Sequence, residues 1–214
     1  MVTSYRGKLA SLFLFAIAMA FAEAAVVVYL RALYYPEGFS ILLKDLPALH
    51  VRMETFRELA TILMLIAVAR IAGKRGWERF GYFMILFGIW DLFYYFWLKI
   101  AINWPASFTD WDVLFLIPLP WVGPVIAPIL VSLVLIFSGI AVTRLYVREL
   151  RFRPVIATKL LFLLGTGVIL YSFMRDSDAV LHKQMPEPYW YPLLLAGLVF
   201  YLLSLWLSIR RAKH

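Results

Sequence analysis

The stretch Phe21-Ala-Glu23-Ala-Ala-Val-Val-Val28 places one carboxylate inside a long apolar run. That run extends over Leu9–Leu33, which exceeds the roughly 20 residues that a helix needs to cross a bilayer. An ionisable side chain at such depth is costly unless it is paired or hydrated, so it indicates a function or a specific partner. The segment therefore predicts a membrane-spanning helix that carries part of a polar site.

The composition of the whole chain agrees with a membrane protein. Of its 214 residues 64% are hydrophobic, well above the half that is usual in soluble domains, and the charged residues collect at the ends of apolar runs. Basic cytoplasmic loops and binding to anionic lipid headgroups account for the net charge of +8. We therefore predict the lipid bilayer as a partner and no nucleic acid. Because there is no cysteine, thiolate chemistry and disulfides are excluded.

Six segments have the length and composition of spanning helices, and none shows the long alternation of a membrane β-barrel. We therefore predict an all-α integral membrane bundle of six transmembrane helices that forms a single domain over residues 1–214. The predicted spans are Leu9–Leu33, Glu54–Ala72, Phe80–Ile102, Pro120–Tyr146, Lys159–Phe173 and Tyr189–Ile209.

The orientation follows from the distribution of basic residues. With six spans, most of the 21 lysines and arginines fall on the side that holds both chain termini. Basic residues mark cytoplasmic loops, so both termini are predicted to be cytoplasmic. The expected location is a prokaryotic cytoplasmic, or inner, membrane.

Three carboxylates, Glu23, Glu58 and Asp91, lie within predicted spans. At 1.5 Å per residue, Glu23 lies about 21 Å above the inner end of its helix, beyond the midplane. Glu58 lies about two turns below the outer surface, and Asp91 falls near the middle of its span. All three are expected in the outer half of the bundle interior.

Helical spacing adds further polar groups to this cluster. Glu54, Glu58 and Thr61 share one helix face, and His50 lies one turn earlier. Convergent carboxylates suit hard cations such as Mg²⁺, Ca²⁺ or Mn²⁺, and a histidine would also admit iron or zinc. We therefore predict a cation site, with a divalent metal ion of unspecified identity as the hypothetical cofactor, whose ligands are Glu23, Glu54, Glu58, Asp91 and His50. No haem or nucleotide motif is present.

Other residues are predicted to complete the site. Tyr95 lies one turn beyond Asp91 and would donate a hydrogen bond to a ligand, whereas Arg57 would supply a nearby charge. Asp112 precedes a stretch with four prolines between Pro118 and Pro128, which predicts irregular backbone near the outer surface. Such backbone survives at membrane depth only where protein buries it or water reaches it, so Asp112 is expected to close the mouth of the site.

The same residues admit other functions. The cluster could serve as a cofactor site or ion path, or could titrate within a proton- or cation-coupled transporter. Alternatively, the carboxylates pair with arginines in a structural or assembly subunit of a membrane complex. The sequence leaves open whether the protein is an enzyme, whether the ligand is a small ion or a small molecule, and whether a membrane partner or a second copy joins it.

Overall fold

The computed structural model describes residues 4–36 and 47–212, and this part of the chain is mostly helical. The prediction of a helical protein is therefore confirmed. A single two-stranded antiparallel sheet is the only other regular structure in the described residues. The elements are α1 (Tyr5–Tyr34), α2 (Ala48–Ala72), α3 (Gly76–Ile102), β1 (Trp111–Phe115), β2 (Trp121–Pro124), α4 (Ile126–Val147), α5 (Ile156–Met174), α6 (Ser177–Leu181) and α7 (Tyr191–Arg210).

Five helical segments of the described chain are long and apolar enough to cross a membrane, as in an integral membrane protein. They are α1, α3, α4, the α5–α6 segment and α7. Helix α2 has 25 residues but is not among them, because charged side chains such as Glu54, Arg57 and Glu58 interrupt its apolar sequence. Large apolar side chains on the outer surface, such as Leu14, Phe137 and Leu160, are 61–70% exposed, as expected where lipid is the solvent.

Successive long helices run in opposite directions. Lys8, near the start of α1, donates a hydrogen bond to the carbonyl of Ala72 at the end of α2. Ser204, in the second half of α7, donates one to the carbonyl of Thr158 near the start of α5. Helix α3 packs against α1, α2 and α4, whereas α5 packs mainly against α7. We call the end that carries the β-hairpin the hairpin end, and the opposite end, where α1 starts and α7 stops, the terminal end.

Glycines allow the closest helix contacts. A Cβ added to Gly88 of α3 would lie 2.6 Å from the Ser132 carbonyl of α4, and one added to Gly165 of α5 would lie 2.8 Å from the Gly197 carbonyl of α7. Real Cβ atoms do not approach that closely, so a larger residue would force these backbones apart. Small residues at interfaces are a general means of packing helices in lipid.

The second strand of the β-hairpin lies where a continuous helix is predicted from Pro120. Residues 121–124 form a strand instead, and α4 begins only at Ile126. Pro118 and Pro120 lie between the strands, where a residue without an N–H cannot continue a helix. Pairing between the strands supplies the backbone hydrogen bonds that a helix would otherwise provide.

The tip of the hairpin enters the bundle. The ring of Phe115 lies 6.3 Å from that of Phe87 and 6.2 Å from that of Trp90, both on α3. Phe87 is about 22 Å along α3 from its hairpin end, taking 1.5 Å per residue. Phe115 and Leu116 are partly buried there, whereas Pro118 and Leu119 in the turn are exposed.

Candidate ligand-binding pocket

A cavity of about 170 Å³ lies between α1, α2, α3 and the hairpin. All residues that the sequence predicts for the site line this one cavity: Glu23, His50, Glu54, Arg57, Glu58, Asp91, Tyr95 and Asp112. They come from three helices and one strand. We refer to this cavity as the polar pocket.

Arg57 is at the centre of the contacts between α1 and α2. Its guanidinium forms an ion pair with Glu23 and donates to Oε2 of Glu54, with Nε and Nη2 at 2.9 and 2.8 Å. The Thr61 hydroxyl also donates to Glu23. Glu23 and Thr61 are buried, so these contacts replace the water that both side chains lose on folding.

A second ion pair joins α1 to the hairpin. Nη2 of Arg31 lies 3.2 Å from Oδ1 of Asp112, and both side chains are buried. The guanidinium of Arg31 also lies 3.8 Å above the Trp104 ring. Burial raises the pKa of Asp112 to about 6, although Arg31, the Val113 N–H and the Tyr95 hydroxyl act in the opposite direction. Oδ2 of Asp112 is buried and accepts no hydrogen bond within the described part of the chain.

Glu58 and Asp91 have different partners from the other carboxylates. Glu58 accepts hydrogen bonds from the backbone N–H of Leu116, at 2.9 and 3.1 Å, and Asp91 accepts one from the Ser132 hydroxyl at 2.8 Å. Within residues 4–36 and 47–212, neither carboxylate forms an ion pair with an arginine or lysine. Glu58 and Asp91 are therefore the two carboxylates of the pocket that have no ion pair among the described residues.

Aromatic side chains supply much of the remaining wall. Trp90, Tyr94 and Tyr95 of α3 line the pocket, and Nε1 of Trp90 is buried without a hydrogen-bond partner among the described residues. At the mouth, the Tyr34 hydroxyl is hydrogen-bonded to Nδ1 of His50. The pocket thus combines carboxylates, aromatic side chains and two polar atoms, Trp90 Nε1 and Asp112 Oδ2, that have no hydrogen-bond partner among the described residues.

The described residues contain no group of three histidine, cysteine, aspartate or glutamate side chains close enough to hold a metal ion. Glu23 and Glu54 both contact Arg57, Glu58 contacts a backbone N–H, and Asp91 contacts Ser132. His50 lies at the mouth beside Tyr34. The predicted ligands thus line one pocket but do not form a metal-binding group there.

Some residues of the pocket escape sequence reasoning. Ser132, which holds Asp91 from outside the pocket lining, is one of several small polar residues in the apolar sequence of α4, and its spacing from Asp91 gives no indication of their contact. Leu116 contributes through its backbone, which no side-chain pattern can reveal. From the sequence, Trp90 next to Asp91 cannot be distinguished from the other aromatic residues of the membrane helices. The Ser132 contact depends on how α4 packs against α3, and the Leu116 contact depends on where the hairpin lies against α2.

Comparisons with known proteins give no relative: no family model, no curated protein and no solved structure matches this chain.

Proposed function

We propose that the polar pocket binds an organic cation through its ammonium group. The observation that carries the proposal is the charge of the wall. Among the described lining residues five are carboxylates and two are arginines, and both arginines already contact carboxylates. A cation near Glu58 and Asp91 would pair with two carboxylates that have no ion pair among the described residues, whereas an anion would have to displace existing ion pairs.

The aromatic part of the wall favours an organic cation. Ammonium groups are attracted to the faces of tryptophan and tyrosine rings, and Trp90, Tyr94 and Tyr95 line the same pocket as Asp91. The volume of about 170 Å³ accommodates a group several times larger than one water molecule. Asp112 Oδ2 offers a further buried acceptor for an N–H donor.

A structural role accounts for only part of the pocket. The ion pairs of Glu23, Glu54 and Asp112 with arginines are the contacts that an assembly subunit would use to fix its helices. Glu58 and Asp91 make no such pairs in the described structure, so their presence at this depth favours a ligand. Metal binding stays a prediction, which elemental analysis of the purified protein would test.

Binding of tetramethylammonium to the purified protein tests the proposal. Equilibrium dialysis in a non-ionic detergent should show saturable binding that Glu58→Gln and Asp91→Asn each weaken at least tenfold. Asp178→Asn is the matched control, because Asp178 is on the surface with 89% of its side chain exposed. No saturable binding to the unmodified protein, or equal binding by all variants, would show that the pocket does not select cations.

We propose, in addition, that α2 is a sixth span and that both termini are cytoplasmic, in a prokaryotic inner membrane. The outward face of α2 is apolar, with Leu59, Leu63 and Ile66 exposed, whereas Glu58 and Thr61 face inward. This polarity suits a helix surrounded by lipid.

The chain lacks cysteine, so Ser107→Cys at the hairpin end should react with an impermeant maleimide on intact cells. Arg153→Cys at the terminal end should react only after lysis, and the reverse result would invert the topology.

A further inference from the structure

A second, larger cavity adjoins the polar pocket. It has a volume of about 410 Å³, lies between α3, α4, α5 and α7, and is lined almost entirely by apolar side chains such as Phe83, Leu135 and Ile169. Asp91, Leu114 and Phe115 line both spaces, so the two cavities share one wall. We call the larger space the apolar cavity.

The apolar cavity is elongated along α3. Its lining on that helix extends from Asp91 to Phe80, which corresponds to about 16 Å at 1.5 Å per residue. A further apolar cavity of about 240 Å³ shares Phe80 and Met84 with it and continues towards the terminal end. The space is therefore long and narrow, with carboxylates at one end only.

The space is partly open to the outside of the bundle, so it is a crevice between helices and not a sealed void. Its volume exceeds the roughly 150 Å³ of an apolar cavity that binds benzene in a soluble protein. The helices around this space pack closely elsewhere, because α3 meets α4 at Gly88 and α5 meets α7 at Gly165. The cavity lies between these tight contacts, and its shape is defined by large rings such as those of Phe87 and Phe173.

We propose that the ligand is an amphiphile whose ammonium group occupies the polar pocket and whose single apolar chain lies in the apolar cavity. The chain would pass beside Asp91 and the hairpin residues Leu114 and Phe115, which line both cavities. This inference rests on the proposed function, since it assigns the cation to a lipid-like molecule. A free small amine shares the headgroup chemistry but would leave the apolar cavity unused.

The experiment is a series of n-alkyltrimethylammonium ions, from the methyl to the octyl compound, that compete with labelled tetramethylammonium in equilibrium dialysis. Each added methylene should tighten binding about fourfold, as expected for burial of one such group. In Val131→Trp, which fills the apolar cavity, this increment should vanish while tetramethylammonium still binds. Val199→Trp is the matched control, because Val199 is 60% exposed on the outer face of α7.

The outcomes separate the two proposals. If the unmodified protein does not bind tetramethylammonium, the proposed cation site itself is overturned. Tetramethylammonium binding without a chain-length increment, or an increment that is the same in Val131→Trp and Val199→Trp, overturns the amphiphile and leaves a site for a free amine. Should Val131→Trp fail to fold, Thr166→Phe provides a second variant, because Thr166 lines the same cavity.

Discussion

Helices α1 and α2 are joined by charges, whereas helices α5 and α7 are joined by glycines. In the first pair, Arg57 of α2 contacts Glu23 of α1 at a depth where both side chains are largely enclosed. In the second, the backbones meet at Gly165 and Gly197, and no ion pair between these two helices occurs in the part of the chain that the structure describes. Lipid tails are as apolar as leucine, so neither pair can rely on the hydrophobic effect.

The two solutions have different consequences for function. Charged side chains are long, and ion pairs hold helices together while leaving polar space between them, as in the polar pocket. Glycine contacts bring backbones together and exclude everything else at the point of contact. The comparison shows how one small bundle provides both a polar site and rigid walls around an apolar cavity.

The largest effect is expected from Arg57→Leu. The substitution leaves the buried Glu23 and the half-buried Glu54 without their common cation, and loss of one partner of a buried ion pair typically costs about 3 to 5 kcal/mol. Unfolding of the purified protein in increasing denaturing detergent would measure this loss. The matched control is Arg52→Leu, because Arg52 is exposed on the same helix and should change the free energy of unfolding by less than about 0.5 kcal/mol. Similar values for the two variants would contradict a central role of Arg57.

A smaller effect is expected where glycine makes the contact. In Gly165→Ala the new Cβ would lie 2.7 Å from the Tyr201 nitrogen, so α5 and α7 must separate at a cost of about 1 to 3 kcal/mol. A Cβ added to Gly167, two residues later, meets nothing within 4 Å. Gly167→Ala should therefore raise stability by up to about 1 kcal/mol through helix propensity. The same unfolding assay should be applied to both variants. Equal decreases in the free energy of unfolding would show that the close contact at Gly165 is unimportant.

The smallest effect is expected at the surface ion pair of Arg175 and Glu187. Glu187 has 71% of its side chain exposed, so water and salt screen the interaction. Glu187→Gln should lower the free energy of unfolding by less than about 1 kcal/mol, measured beside Arg57→Leu at low and high salt. A loss as large as that of Arg57→Leu would mean that burial does not explain the difference between these ion pairs.

The sequence predicted the pocket residues better than their contacts. Glu23, Glu58 and Asp91 stand out because each interrupts an apolar run, and the structure brings all three to one cavity. The sequence did not predict which groups these carboxylates contact. Arg57 is near several carboxylates, and the packing of the helices determines that it contacts Glu23 and Glu54. The hairpin was recognised only as irregular backbone, since prolines indicate where a helix stops but not what replaces it.

The sequence by itself determined that the chain is helical, that it has long apolar segments suited to a membrane, and that carboxylates lie within those segments. These properties depend on local composition and helical periodicity, which act over a few residues. The tertiary structure alone decided that Leu116 satisfies Glu58, that Ser132 reaches Asp91, and that an apolar cavity adjoins the polar pocket. These features arise from residues distant in the chain, because they depend on the angles and distances at which whole helices pack.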